Sequence, residues 1–402
     1  MTLRTIAVVG GSLAGLRAVE ALRRAGFDGR IDWIGAEAHD PYDRPPLSKQ
    51  VLRGEWDLER IALVRGGLDP LHAEVHFGMR AVRLDARERR IELEGGAQIA
   101  FDGLVIATGA TPRKLPGQPD LAGLFLLRTL DDALAIRAAL ETGPRVAVVG
   151  GGFIGAEVAA SCRERGLEVT LIEALGQPLE QALGPSIGAL FAAIHRDQGV
   201  ALRTGSAVAA IEGEGSVERV RLADGSVIPA DVVIVGIGVR PETAWLAGSG
   251  VEISDGVVCD DHCMTSVPDV VAAGDVARFP SARYGESIRV EHWTHASEQA
   301  EAAVATLLHG RDVAKPFDPV PYVWSDQYDT KLAVAGRPRA SDELHVVEGS
   351  FADRKFVAIT GRDGKLSGAI GLNRMRKLME WRQSLREGIA FEAALARAAG
   401  AA

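Results

Sequence analysis

RVAVVGGGFIGAEVAASCRERGLEVTLIEA, residues 145 to 174, decides the fold of this chain. A short apolar run, VAVV, stops at three glycines; an alanine-rich segment follows and closes at Gly166; a second apolar run, VTLI, ends on Glu173. This is the grammar of a buried parallel strand, a tight turn, a helix with a left-handed C-terminal glycine and a second strand. The same grammar opens the chain in TIAVVGGSLAGLRAVEALRRAGFDGRIDWIGAE, residues 5 to 37, whose helix closes at Gly26. Two such units imply two nucleotide sites.

Glycines at these turns let the backbone bend sharply and approach a pyrophosphate, whose charge then faces the N–H groups at a helix N-terminus. The second copy has the full spacing, Gly150, Gly152 and Gly155, with Gly151, Phe153 and Ile154 between them. The first copy has Gly10, Ser12 and Gly15, so its turn must accept a small side chain at the middle position. Each copy then ends on an acid, Glu37 or Glu173, placed to bind adenosine ribose hydroxyls and to repel a 2′-phosphate. No arginine follows Glu173 in ALGQPLEQALG, residues 174 to 184, so the second nucleotide is expected to be NADH rather than NADPH.

Composition narrows the alternatives. At 402 residues, 47% hydrophobic and 25% charged, the chain is long enough for two or three globular domains. No apolar run approaches the roughly 18 residues that cross a bilayer, and MTLRTIAVVGGS enters a strand with no signal-peptide pattern, so a cytoplasmic location and no membrane partner are expected. The 54 acidic residues outnumber the 45 basic ones, which argues against a nucleic-acid partner. Cys259 and Cys263 flank His262 in VCDDHCMTS, but the spacing fits no common zinc pattern; a strand and its turn are expected, with no metal.

Two more strands end in glycine motifs: LVIATGA at 104 to 110, with Thr108 and Gly109, and VVAAGD at 270 to 275, with Asp275 positioned to accept hydrogen bonds from ribityl hydroxyls or to cap the following turn. Between the two glycine units stands PYDRPPLSK, residues 41 to 49, whose paired prolines stiffen the approach to Lys49. VGIGVRPE, residues 235 to 242, EHW, residues 291 to 293, and WSDQY, residues 324 to 328, complete the series.

Over essentially its whole length, this order of YDRPPLSK, ATG, GGGFIGAE, AGD, EHW and WSDQ resembles the FAD-dependent, NADH-utilising ferredoxin reductases of bacterial oxygenase systems. The resemblance implies an α/β fold of glutathione-reductase type: two Rossmann-like dinucleotide-binding domains plus a C-terminal α+β domain. It places a discontinuous FAD domain at 1–113 and 243–318, an NAD domain at 114–242 and the C-terminal domain at 319–402. Carried over by motif, FAD contacts fall on Gly10, Ser12, Ala14, Gly15, Glu37, Arg44, Lys49, Val82, Thr108, Gly109, Arg128, Asp275, Glu291, His292, Trp293 and Trp324. NAD contacts fall on Gly150 to Gly155, Glu157, Glu173 and Gly238. In the family the lysine matching Lys49 lies beside the reactive edge of the flavin and pairs with the glutamate matching Glu157, which makes these two the expected catalytic residues.

The implied activity passes electrons from NADH through non-covalent FAD to a [2Fe-2S] ferredoxin that serves a cytochrome P450 or a Rieske-type oxygenase. The cysteine pair of the disulfide reductases is missing, so the acceptor is expected outside the chain. From residue 319 onward, 13 Lys and Arg stand against 10 Asp and Glu, and a face with Arg337, Arg339, Arg374, Arg376 and Lys377 is expected to dock an acidic ferredoxin. The alternative is a redox-gated NADH-sensing binding protein, resembling the more distant apoptosis-inducing factor. Gln177, Glu180 and Gln181 stand where relatives often carry arginines.

Overall fold

A computed structural model describes residues 3–400. By its contacts the chain forms two compact units: the residues up to Asp43 with Ile61–Thr111 and Arg240–Pro321, and Arg44–Arg60 with Pro112–Val239 and the residues from Tyr322 on.

The first unit is built on a five-stranded parallel sheet in the order Val270–Ala272, Gly103–Ile106, Thr5–Val9, Arg30–Gly35 and Glu74–Phe77. The strands Thr5–Val9, Gly103–Ile106 and Val270–Ala272 are almost wholly apolar, as strands buried on both faces should be, whereas the edge strand Glu74–Phe77 is partly exposed. Leu16, Val19 and Leu22 of the helix Leu13–Arg24 join Ile6, Val8 and Ile31 of the sheet in one core, and the helix Trp293–His309 adds Ala300, Ala303 and Val304 to it. Gly26 and Gly166 follow their helices with φ of 82° each, as the sequence pattern expects of left-handed closing residues.

The second unit repeats that plan. Its parallel sheet runs Ala201–Thr204, Val169–Glu173, Val146–Val149, Val232–Val235 and Leu124–Leu126. The duplication reaches further than the glycine turns. In each unit a three-stranded antiparallel sheet, Ala81–Asp85 with Arg90–Leu93 and Gln98–Ala100, or Val208–Glu212 with Arg219–Leu222 and Val227–Pro229, comes just before a central parallel strand, Gly103–Ile106 or Val232–Val235. An aspartate after each insertion then clamps the start of the strand that leads into the glycine turn, Thr5–Val9 or Val146–Val149. Asp102 accepts from the Arg4 and Thr5 amides at 2.8 Å, and Asp231 from the Arg145 amide at 2.9 Å and from its guanidinium. Hydrogen bonds from Arg145 hold the Asp231 carboxyl down at about 2.

A five-stranded antiparallel sheet from Tyr322–Gln327 to Lys365–Leu372 and the helices Met375–Glu387 and Phe391–Gly400 complete the second unit. Leu332, Val334, Phe356 and Ile370 of this sheet share one buried cluster with Ile187, Phe191 and Ile194 of the helix Pro185–Asp197. The C-terminal sheet is therefore packed onto the second dinucleotide fold and does not stand alone.

Candidate active site

Both glycine turns have the shape a pyrophosphate needs. Gly150 has φ of 101°, and a Cβ there would come within 2.4 Å of the Gly236 oxygen; a Cβ on Gly155 would lie 1.8 Å from the Gly150 oxygen. Gly10 and Gly15 are confined in the same way, with 2.0 Å to the Ala107 oxygen and 1.7 Å to the Gly10 oxygen. A Cβ on Gly152, by contrast, would meet nothing within 4 Å. The middle position is open on its outer side, which explains how Ser12 fits the first turn as the N-cap of its helix. The residues present thus fit the diphosphate of a dinucleotide at each turn.

In the second unit Glu173 closes over its turn, accepting from the Gly151 amide at 2.6 Å and the Leu175 amide at 2.8 Å. In the first unit the Glu37 carboxylate accepts the Tyr42 hydroxyl. The motifs from later in the first unit converge on the same sheet edge. Gly274 lies against Ala14, where an added Cβ would be 3.1 Å from the Ala14 methyl, and Asp275 occupies the short 3₁₀ turn Gly274–Val276. Arg289 donates to the Asp275 carbonyl at 3.0 Å and pairs with Glu291 at 2.6 Å. His292 is the N-cap of the helix whose first residue, Trp293, donates its indole N–H to Asp43 at 2.7 Å. The Thr108 hydroxyl donates to the Glu242 carbonyl at 2.7 Å beside Gly109, and Val82 is exposed.

Arg44, Lys49, Arg128 and Trp324, all FAD contacts by resemblance, belong to the second unit, where Arg44 donates to the Arg128 carbonyl at 2.7 Å. Gly238 accepts from the Arg113 amide at 2.9 Å, and Trp324 packs beside Tyr322 with ring centres 6.2 Å apart.

The rigid segment ending in Lys49 makes the most distinctive arrangement. Pro46 starts a single π-helical turn, Leu47–Val51, closed by the Val51 amide on the Pro46 carbonyl at 3.0 Å. Leu52, fully buried, anchors the segment in the core formed with Ile136, Leu140 and Val158. Ser161 on the helix Phe153–Glu164 donates to the Ser48 carbonyl at 2.7 Å, and Arg165 just beyond it to the Leu52 carbonyl at 2.8 Å. Lys49 is only 5% exposed, so it is no surface charge. Its ammonium lies 2.8 Å from Oε2 of Glu157, itself 3% exposed. The Ser48 hydroxyl donates to the same oxygen at 2.5 Å, and the Ser325 hydroxyl to Oε1 at 2.7 Å. A buried ion pair is tolerated when further hydrogen bonds satisfy it, and here two hydroxyls serve the carboxylate, one on each oxygen.

Ser48 and Ser325 were not singled out in the sequence, nor were Gln327 and His195, which lie behind Ser325. Gln327 donates to Ser325 at 3.2 Å, and His195 meets Gln327 at 3.1 Å and Tyr328 at 3.0 Å. Burial holds His195 neutral, with its pKa lowered to about 4. The one available signal was the alternation of WSDQ, which puts Ser325 and Gln327 on one buried strand face.

The three cysteines are free and buried, and desolvation pushes the Cys162 and Cys259 thiols up to about 12 and Cys263 well above its ordinary value. Beside Cys259 and Cys263 the structure brings together Asp260, Asp261 and His262. Asp260 also accepts from the His262 and Met264 amides, and Arg311 lies 3.2 Å from Asp260 and 3.6 Å from Asp261.

Comparison with known proteins matches residues 4–300 to the family described as pyridine nucleotide-disulphide oxidoreductase and residues 322–401 to the reductase C-terminal family. A 5,5'-dehydrodivanillate O-demethylase ferredoxin reductase subunit from Sphingobium is 39% identical over 95% of this chain and 93% of its own length. The biphenyl dioxygenase system ferredoxin--NAD(+) reductase component of Paraburkholderia xenovorans is 36% identical over 93% and 91%. Among solved structures, the covalent putidaredoxin reductase–putidaredoxin complex superposes with a TM-score of 0.92 at 31% identity, covering 97% of this chain and 94% of that one.

Proposed function

This chain belongs to the pyridine nucleotide-disulphide oxidoreductase family and ends in a reductase C-terminal domain, and on that premise we propose that it is a ferredoxin--NAD(+) reductase, carrying electrons from NADH through FAD to a [2Fe-2S] ferredoxin of a P450 or Rieske-type oxygenase. Matches to oxygenase-system reductases over more than nine-tenths of the chain support this reading over an NADH-sensing role. FAD is assigned to the turn at Gly10 and NADH to the turn at Gly150, within domains bounded at 1–113 with 243–318, 114–242 and 319–402.

The observation that carries the reading is the buried Lys49–Glu157 pair, whose glutamate sits on the helix that leaves the second glycine turn. Bound FAD supplies a ring that takes up hydride from NADH and returns electrons singly. Lys49 contributes a fixed positive charge, which favours negative charge developing near it. Glu157, held by two hydroxyls, keeps the ammonium in place. Ser12 and Gly152 leave room for the diphosphates, while Glu173 binds the ribose hydroxyls and disfavours NADPH. All three cysteines are free thiols, already at the reduced level, so none can take up electrons as a disulfide would, which supports an acceptor outside the chain. No described helix is long and apolar enough to cross a membrane, in keeping with a cytoplasmic site of action.

Stopped-flow mixing tests the reading. NADH should bleach the flavin band far faster than NADPH, and an oxidised [2Fe-2S] ferredoxin should restore it. If the ferredoxin docks on a basic C-terminal face, only the second step should slow as salt rises, since exposed charges act over roughly 8 Å at physiological ionic strength. Flavin that NADH leaves oxidised, or that only molecular oxygen reoxidises, would refute it.

A further inference from the structure

Behind Glu157 runs an unbroken line of hydrogen bonds through the interior of the second unit: Tyr328, His195, Gln327, Ser325, then the carboxylate. The chemistry of one end fixes the direction of the whole line. An ionised carboxylate accepts only, so Ser325 must spend its single hydrogen on Oε1 of Glu157. Ser325 Oγ can then only accept from Gln327, which must present its NH₂ group. The Gln327 carbonyl oxygen therefore faces His195 and needs a donor, so His195 carries its hydrogen on Nε2. Its Nδ1 is left as an acceptor for the Tyr328 hydroxyl.

Each member is held where it is. Ser325, Gln327 and His195 are 0–1% exposed. Ser325 and Gln327 point to one side of the strand Tyr322–Gln327, and His195 comes from the helix Pro185–Asp197. Tyr328 adopts a left-handed backbone, φ 57°, in the two-residue turn before the next strand. That conformation is unfavourable for a bulky residue and is normally left to Gly or Asn. Here it accompanies the contact of the Tyr328 ring with His195, centres 5.5 Å apart and edge to face.

We propose that His195 and Gln327 are positioning residues for hydride transfer: by fixing the donor direction of Ser325 they hold the Glu157 carboxylate, and through it the Lys49 ammonium, in one orientation. The inference rests on the reductase reading given above and deepens it. Gln327→Leu keeps the volume and removes both hydrogen bonds, freeing the Ser325 hydroxyl to rotate away from Glu157. Flavin reduction at saturating NADH should then slow at least about tenfold, the lower end of what one hydrogen bond to a charged group is worth, while the dissociation constant for NADH changes little.

A double-mutant cycle separates positioning from general loosening, because residues acting through one another are not additive. Ser325→Ala should slow reduction by itself, and Gln327→Leu added to Ser325→Ala should slow it no further. His195→Gln, which keeps a donor toward Gln327, should recover most of the rate lost in His195→Leu. Independently of turnover, ¹⁵N spectra of the histidine-labelled holoprotein should show His195 as the neutral Nε2–H tautomer. An Nδ1–H tautomer, or equal slowing by Gln327→Leu with and without the Ser325 hydroxyl, would overturn the proposal. Should Gln327→Leu fail to fold, Ser325→Ala and the tautomer still decide it. A wild-type flavin that NADH does not reduce would instead refute the reductase reading, leaving the tautomer to judge the hydrogen-bonded line by itself.

Discussion

Lys49 shows how a single side chain becomes fixed. Two prolines, a π-turn and the buried Leu52 bring it to the helix Phe153–Glu164, where Glu157 receives both its ammonium and the Ser48 hydroxyl. Because both charges are out of water, removing one strands the other, at a cost of about 3–5 kcal/mol in comparable buried pairs. Lys49→Ala should therefore lower the denaturation midpoint as well as slow flavin reduction, with the hydroxyls of Ser48 and Ser325 softening the first effect. Lys49→Met combined with Glu157→Gln, which leaves no buried charge, should regain stability without regaining rate. Urea denaturation and single-turnover kinetics on the same samples check this, and a double variant no more stable than Lys49→Ala would show that the pair is not held as a buried unit. The sequence made Lys49 legible through its stiff approach, and the resemblance supplied its partner. It left Ser48, Ser325 and His195 unread because their contacts join residues 109, 168 and 132 positions apart, and spacing along a chain says nothing about such pairs.

At the scale of the element, the strand-turn-helix-strand units were the most legible part of the chain, since each glycine answers to a local steric demand. The structure sorts those glycines into two kinds. Gly155 is required by the turn itself, because any Cβ would penetrate the Gly150 carbonyl; Gly152 has open space and is not required by the turn. Gly155→Ala should therefore destabilise the second unit and reduce soluble yield. Gly152→Ala should fold with an unchanged melting temperature and, as Ser12 at the same place in the first turn implies, still bind NADH. Calorimetry with an NADH titration distinguishes the two, and a large loss of stability in Gly152→Ala would contradict the assignment. Ser12 already shows that a side chain at this position is compatible with folding. The aspartate clamps Asp102 and Asp231 belong to the same duplicated plan but escaped notice, because an isolated aspartate before an apolar strand looks like any loop residue.

For the molecule as a whole, the sequence made two nucleotide folds plain and concealed how the C-terminal sheet joins the second of them, because the apolar faces of Leu332 and Phe191 carry no label for their partners. Joint burial of this kind also encloses polar groups, and each unit holds a neutral histidine deep inside. His195 is lowered to about 4 in the second unit, and His295, between Phe279 and Phe317 in the first, to about 3, in both cases chiefly by desolvation. Unfolding returns each to its ordinary value near 6.5. Between pH 6.5 and 4 the unfolded chain therefore binds protons that the folded chain refuses, and stability must fall as pH falls through this window. By pH 4.5 the loss should reach about 2–3 kcal/mol per histidine, since each pKa unit is worth 1.36 kcal/mol. Below pH 4 protonation of Asp102 and Asp231, whose carboxyls are held low, should add to the decline. Urea denaturation at pH 7 and 4.5 measures the effect. His295→Phe, which suits its aromatic slot, and His195→Gln should each flatten the acid dependence of the unit that contains it and leave the other unit's unchanged. An acid slope that survives both substitutions would place the lability in the carboxylates alone.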